Sequence, residues 1–555
     1  MADSRKNSFY GGAAILAVGS LLVKLIGAIY KIPLARILSD EAYVDFNAAY
    51  NIYNFFLTIS TAGLPVALSK TISEATTLGR YRQADRVFSV ALRTFLILGS
   101  ISFLAMSVFG GPLAALLGDE SAVYCVWCLS PSVLCVCIMA AFRGYYQGHS
   151  YMVPTAVSQI IEATCKMIFG LALAFAVFKL LPGDEAYRHR MSAAGAIAGV
   201  SIGSIVALIY LFFFYRRDRR RNPPPKSTDR PDGDGAILQR LLQLAIPITL
   251  GSAAVSIVTL IDTKVVLSLL EQMYHDLPEL VTPEAIAQQF RKGGVSPELY
   301  MAQGLKGVYD KCMAIYNLPS QLMVAITASV IPAVSAFLAR RDKKGAGRTS
   351  ESALRIGALL CLPMGFGLFA LGGPIVQLVL DLDPVTAGPI MSTLGLATIF
   401  ICIMLICNSI LQAHGLVNLP VLTVVVGGVI KLIVNYILVG NYDINIKGAP
   451  WGTLCCFAVA AAMDLFFVKR AIASSPKYSR VFPKPLLASM LMGAAAWAVH
   501  GLLIGLVGNS LATVAGILTG VVVYGVLVLA LKAISPDDLA LIPKGDKIAK
   551  LLHIQ

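Results

Sequence analysis

The sequence predicts an all-α polytopic membrane protein of about fourteen transmembrane helices, arranged as two pseudo-symmetric six-helix lobes around a central cavity plus two C-terminal helices. Three observations carry that prediction. Apolar residues make up 57% of the 555-residue chain and charged residues only 14%, against roughly 45–50% and about 25% in soluble domains. The mean hydropathy is +0.74, so lipid is the solvent for much of the chain. Apolar stretches of about 20 residues, the length that crosses the hydrocarbon core, recur from end to end. A soluble enzyme, a disordered scaffold and a nucleic-acid-binding domain are all excluded by this composition.

The stretches fall near 9–35, 46–68, 87–110, 122–142, 155–178, 192–215, 241–268, 303–337, 356–379, 389–412, 416–439, 449–468, 486–507 and 511–531. We number them spans 1 to 14. Their connections are mostly short, which leaves no room for an inserted catalytic domain. Span 1 carries Lys24 and runs past Lys31. It is too long and too charged for a cleavable signal peptide and reads as a signal anchor. The charges of the connections sort by side. Segments on the side of the N-terminus hold 31 Lys and Arg; the opposite segments hold 7, namely Arg36, Lys179, Arg188, Arg190, Arg291, Lys292 and Lys447. Lys and Arg concentrate on the cytoplasmic side of membrane proteins, so both termini are expected in the cytoplasm and the span count is even. The formal charge of +14 then reflects topology and a girdle facing anionic lipids, with Arg216-Arg217-Asp218-Arg219-Arg220-Arg221 at its densest.

One connection differs from the rest. Residues 216–240 are Arg-rich, then Pro-rich, then carry Asp232-Gly233-Asp234-Gly235. That composition buries no core and predicts a mobile cytoplasmic tether. It divides the chain into an N-terminal lobe (1–215), the linker (216–240), a C-terminal lobe (241–472) and the last two spans with the tail (473–555). The lobes share motifs in the same order. Gly110-Gly111-Pro112-Leu113 closes span 3 and Gly372-Gly373-Pro374-Ile375 closes span 9. Gln147 and His149 follow span 4 as Gln412 and His414 follow span 10, and Lys166 and Lys431 stand at matching places in spans 5 and 11. Repeats with an even number of spans insert the same way up, with a pseudo-two-fold axis along the membrane normal. Two lobes about a cavity is a transporter's architecture.

Ionisable residues inside spans are costly, about 2.5–3.5 kcal/mol each on insertion scales, and mark an interior or a hydrated cavity. Here they are Lys24, Lys31, Lys166, Lys264, Lys306, Lys311, Lys431, Glu162, Asp262, Asp310 and Asp464. Glu162 with Lys166, and Lys306 with Asp310, are spaced i,i+4; structural ion pairing and a cavity or gating role both fit them. Asp464, near Lys469, is expected at the interface, and Lys264 and Lys311 are placed to snorkel or to line the cavity. Lys24 and Lys31 lie two turns apart on one helical face, and Lys431 has no acid within a turn. The surplus of lysine over acid makes a cationic interior that selects an anion, with lysines acting as point charges for phosphate.

The remaining features carry less. Cys125, Cys128, Cys135, Cys137, Cys455 and Cys456 lie in apolar surroundings without the grouped ligands zinc needs, so no metal is expected. No Walker, GxSxG or HExxH pattern is present, and no cofactor is implied. Pro33, Gly63, Pro65, Pro247, Pro319, Pro332 and Pro363 mark kinks.

Some of these residues stand in familiar runs. Lys24-Leu-Ile-Gly27-Ala-Ile-Tyr30-Lys31-Ile-Pro33-Leu-Ala-Arg36, Ala49-Tyr50-Asn-Ile-Tyr53 and Ser60-Thr61-Ala-Gly63-Leu-Pro65 resemble the stage V sporulation protein B family of Firmicutes. So do Arg143-Gly144-Tyr145-Tyr146-Gln147-Gly148, Pro154-Thr155-Ala-Val-Ser158-Gln159-Ile-Ile-Glu162, Asn317-Leu318-Pro319 and Lys431-Leu-Ile-Val-Asn435-Tyr436. The resemblance covers essentially the whole chain. It implies the multidrug/oligosaccharidyl-lipid/polysaccharide (MOP) exporter superfamily, on the branch of the lipid II flippases, and work in cell-wall or spore peptidoglycan synthesis. The implied cargo is an undecaprenyl-diphosphate-linked sugar. Its diphosphate sits in the cavity and its tail in a groove beside the last two helices.

By that likeness Lys24, Lys31 and Arg36, with Lys431, are the expected diphosphate contacts. Arg143, Glu162, Lys166, Lys264, Lys306 and Asp310 are expected to line or gate the cavity. Asp262 is the candidate for Na+ or H+ coupling. The expected protein is a monomeric transporter in the bacterial plasma membrane, not an enzyme. A cation-coupled multidrug exporter would want an acidic cavity. A glycosyltransferase would want paired carboxylates in the outer segment 271–302, where Glu279, Glu284 and Glu298 are spread apart.

Overall fold

The computed structural model describes residues 19, 22–27, 29–149, 151–223, 225, 227–288, 295–472 and 476–534. Every regular element among them is a helix. The helical residues 22–27 and 29–37 belong to span 1, much of which lies outside the described residues, as do Arg291, Lys292 and the tail.

α1 (Asp40–Thr61) is capped by Ser39, whose hydroxyl accepts from the Ala42 N–H. It breaks at Gly63 before α2 (Leu64–Thr77), which has Pro65 in its first turn, where a missing N–H removes no helical bond. There follow α3 (Tyr81–Val108), α4 (Gly110–Leu116), α5 (Val123–Gly148), α6 (Val153–Leu180), α7 (Glu185–Arg221), α8 (Asp234–Asp276), α9 (Pro283–Gln288) and α10 (Pro297–Ala339). The second half of the chain adds α11 (Lys343–Ala370), α12 (Gly372–Leu380), α13 (Pro384–Ala413), α14 (Asn418–Val439), α15 (Ala449–Ala471), α16 (Tyr478–Val481) and α17 (Pro483–Ala530).

Among the described residues, ten helical stretches are long and apolar enough to cross a membrane. The longest, α17, turns at Gly508 (φ 76°, ψ 169°), a conformation favouring glycine, where expected spans 13 and 14 meet. α8 and α10, 43 residues each, cover expected spans 7 and 8. The protein is a multi-pass, all-α membrane protein.

Packing divides the chain into two compact units, residues 1–307 and 308–555. This division follows contacts, whereas the lobes read from the sequence follow repeats. The repeated motifs take the same local form in each unit. A short helix, α4 or α12, begins at each Gly-Gly-Pro. The histidine after α5 and that after α13 both turn Nδ1 onto the carbonyl four residues back, His149 to Tyr145 and His414 to Ile410, each at 2.9 Å.

The linker is not a free tether. α7 runs on to Arg221 and α8 starts at Asp234, and the strap between them is fastened to the start of α3. Asp229 accepts from the backbone N–H of Arg82 and Gln83 at 3.2 and 2.9 Å. Asp232 pairs with Arg80 at 3.1 Å and accepts from the Gln83 amide. Asp234 pairs with Arg86 at 2.6 Å and Arg93 at 3.3 Å. Composition shows that a segment lacks a core; it does not show that its acids have arginines waiting.

Candidate functional site

The polar centre of the first unit is built on a glycine seam. In lipid, helices associate through close packing of small residues rather than through hydrophobic burial. Gly195, Gly199 and Gly203 repeat every four residues on α7 and face α6. A Cβ on Gly199 would stand 2.2 Å from the Gly170 backbone nitrogen, and one on Gly203 would stand 2.7 Å from the Glu162 carbonyl. The seam brings Ser204 of α7 beside Glu162 of α6, with Ser204 Oγ 3.3 Å from Glu162 Oε1.

Arg143 of α5 completes this group. Its guanidinium donates to Ser158 Oγ at 3.0 Å and to Glu162 Oε2 at 2.8 Å. Both side chains are largely buried, 14% and 22% exposed. Ser204 continues to Ser132 of α5 at 2.8 Å, and Ser132 reaches Tyr53 of α1 at 3.4 Å. The i,i+4 pairing of Glu162 with Lys166 does not form. A planar guanidinium can satisfy a carboxylate and a hydroxyl together, and it takes the acid from across the helix interface.

Lys166 turns instead to tyrosines. Its Nζ donates to Tyr50 Oη and lies 4.7 Å from the Tyr50 ring centre and 5.2 Å from that of Tyr30, within cation–π range. Tyr30 is itself anchored to the Ala196 carbonyl at 3.3 Å. No carboxylate lies within ion-pair distance of Lys166 among the described residues. Phenol and π faces steady its charge without neutralising it.

The other expected residues lie on the helix of span 1 and on α8, α10 and α14. Lys24 and Lys31 are half-buried and Arg36 is exposed. Lys264 is exposed on α8, next to half-buried Asp262. Lys306 and Lys311 of α10 are buried at 3% and 5% exposure, with Asp310 half-buried between them. Lys431 is half-buried on α14 in the second unit. Asp464, expected at the interface near Lys469, is fully buried in α15. Tyr30, Tyr50, Tyr53, Ser132, Ser158 and Ser204 carried no charge signal and were not expected in a site, although the tyrosines stand inside the helix 1–2 motifs.

The second unit holds an apolar cavity of about 650 Å³. Its walls come from α10 (Leu318, Pro319), α11 (Pro363, Met364, Gly367) and both arms of α17 (Met492, Ala496, Val521, Tyr524). The bend between the arms is pinned. Asn509 Nδ2 donates to the Pro374 carbonyl at 3.3 Å, which leaves its Oδ1 to accept from His500 Nε2 at 3.1 Å. Among the described residues no group of His, Cys, Asp and Glu could hold a metal ion.

Comparison with known proteins adds to this geometry. Residues 9–338 match the family model described as polysaccharide biosynthesis protein, and residues 295–516 match that described as lipid II flippase MurJ. The chain is 22% identical over 552 residues to stage V sporulation protein B of Bacillus subtilis (strain 168), covering 97% of this chain and 98% of that protein. It is 23% identical over 478 residues to lipid II flippase MurJ of the same organism, covering 84% and 83%. Among solved structures it resembles lipid II flippase MurJ in an inward closed conformation, with TM-score 0.63, 15% identity and coverage of 93% and 98%. An inward-facing MATE family multidrug transporter of the MOP superfamily matches with TM-score 0.62, 15% identity and coverage of 82% and 98%. The fold is that of these transporters.

Proposed function

The chain belongs to the polysaccharide biosynthesis protein family, whose model spans residues 9–338 of it, and from that membership we propose that it is a flippase. It carries an undecaprenyl-diphosphate-linked glycan precursor, lipid II or a close relative, from the inner to the outer leaflet of the bacterial plasma membrane by alternating access. The relatives named lipid II flippase and stage V sporulation protein B support this cargo class.

The observation that carries the reading is the uncompensated charge of Lys166. A diphosphate entering a bundle of helices must give up headgroup water and counterions, and the loss is large at low dielectric. A half-buried lysine steadied by two aromatic faces replaces a counterion with little reorganisation. With Glu162 occupied by Arg143, no carboxylate of this group competes for it. Lys24, Lys31, Arg36 and Lys431 are assigned as further diphosphate contacts. The apolar cavity between α10, α11 and α17 suits part of a polyprenyl tail, since it offers hydrocarbon walls and no buried charge. Transport also requires that affinity differ between the inward and outward states.

The test is genetic rescue. In a strain depleted of its own lipid II flippase, expression of this chain is expected to restore growth and outer-leaflet precursor. Lys166→Met, and Lys24→Ala combined with Lys31→Ala, are each expected to abolish rescue at unchanged protein level. Full rescue by these variants contradicts the anion site.

A further inference from the structure

We propose that Asp45 and Asp119 form a proton-binding site that holds one proton between two carboxylates, at the end of the first unit opposite the linker strap. The positive-inside pattern places that end outside the membrane. The site is distinct from Asp262 and from the Lys166 group, and it does not rest on the cargo reading.

Four segments meet there. Asp45 stands near the start of α1, Asp119 in the connection between α4 and α5, Arg190 near the start of α7 and Gln303 near the start of α10. Ser121, in the single turn Glu120–Ala122, joins the acids. Its Oγ lies 2.6 Å from Asp45 Oδ1 and 2.6 Å from Asp119 Oδ1. Both aspartates are buried, at 1% and 0% exposure.

Counting hydrogens assigns the protonation state. A serine hydroxyl carries one hydrogen, so it can donate to only one of two carboxylates at that distance. If both acids were ionised, the other contact would set a lone pair against a carboxylate oxygen 2.6 Å away. The second hydrogen must therefore belong to one of the acids. Gln303 shows which, because its Nε2 donates to Asp119 Oδ1 at 2.8 Å. Asp119 is then the ionised acceptor of two donors, and Asp45 carries the proton and donates it to Ser121 Oγ.

Charge balance agrees. The groups facing the pair are Arg190, with Nε 3.9 Å from Asp45 Oδ2 and Nη2 donating to Gln303 Oε1 at 3.4 Å, and the buried thiol Cys125 of α5. Glu41 of α1 lies toward Gly304, Lys306 follows one turn along α10, and Glu120 is exposed. With one proton the two acids carry a single negative charge, which the Arg190 guanidinium faces. Two ionised acids would set a second buried negative charge beside the first, which is strongly disfavoured. A further observation points to an exchangeable ligand. Asp45 Oδ2 and Asp119 Oδ2 are buried without a hydrogen-bond partner among the described residues, so ionising both acids would leave both of these oxygens without a donor, and binding a proton relieves that cost.

Release of the proton from Asp45 to bulk water sets two anions across a single hydroxyl. The tie from α1 through Ser121 and Asp119 to α10 is expected to loosen. Proton occupancy thus biases how firmly this end of the unit is closed.

The experiment is infrared difference spectroscopy of the purified full-length protein in lipid nanodiscs, across a pH titration without cargo. Wild type is expected to show the C=O stretch of protonated carboxyl, shifted in D2O, with a component equivalent to one proton that belongs to the pair and is lost on alkaline titration. Asp45→Asn should remove that band, because the amide N–H replaces the proton. Asp119→Asn should also remove it, because Asp45 then ionises against Arg190. Ser121→Ala should shift the band. A wild-type spectrum matched in amplitude by both Asn variants overturns the proposal. Measuring the same variants on an Asp464→Asn background excludes the other buried acid as the source, and persistence of the full band there overturns it equally.

Discussion

Arg143, on α5, reaches Glu162 on α6 and takes the carboxylate that helical spacing offers to Lys166. Spacing along one helix shows which side chains can meet, but a partner nineteen positions away on another helix is invisible to it. The consequence for Lys166 is large, because its charge is left to two tyrosines. We expect Arg143→Ala to strand Glu162 in a largely buried position and to lower stability by about 1–3 kcal/mol. Thermal unfolding in detergent should show a fall that Glu162→Gln largely restores, and no restoration would mean that Arg143 acts through packing alone. Asp464 teaches the same lesson from the other side. Its nearness in sequence to Lys469 suggested the interface, yet α15 turns it fully inward.

Helices were legible because apolar length is a one-dimensional property. Their seams were less so. The four-residue repeat of Gly195, Gly199 and Gly203 is visible in the sequence, but its meaning depends on α6 lying against it. Gly199→Ala would drive a methyl into the Gly170 backbone and separate α6 from α7, with an expected loss of more than about 2 kcal/mol. Gly111→Ala, with nothing within 4 Å of its added Cβ, is the control and should unfold at nearly the wild-type temperature.

The strap between α7 and α8 makes a pH-dependent element. Desolvation pushes the Asp229 carboxyl up, but hydrogen bonds from Ser227 and from the backbone of Gln83 and Arg82 outweigh it and hold the group below its ordinary value. A carboxyl more acidic when folded than when free contributes fully above the ordinary carboxylate range and loses that contribution as pH falls through the lowered value. Trypsin at neutral pH should therefore cut between residues 216 and 234 slowly in wild type and quickly in Asp229→Ala with Asp232→Ala. Raised salt should speed cleavage of wild type by screening the Asp232 and Asp234 pairs. Equal rates in all cases would mean that the strap is not fastened in solution.

At the scale of the molecule, composition and the order of apolar stretches were enough to read a multi-span transporter fold, and the motifs of spans 1, 2, 4 and 5 pointed to the family. The first unit holds a cationic group and the second a hydrocarbon-lined cavity; under the proposed function the one is assigned to the diphosphate and the other to the polyprenyl tail. The sequence disclosed the lysines but not their neutralisation, since that depends on which acids the fold places beside them. Reconstitution of the purified protein into liposomes bearing an undecaprenyl-diphosphate-linked disaccharide in the inner leaflet tests the account most directly. Wild type is expected to deliver the lipid to the outer leaflet, with Lys166→Met reduced at least about tenfold, the loss of one charge contact worth 1.4 kcal/mol or more. Delivery at the wild-type rate by Lys166→Met, or no delivery by a folded wild type, would contradict it.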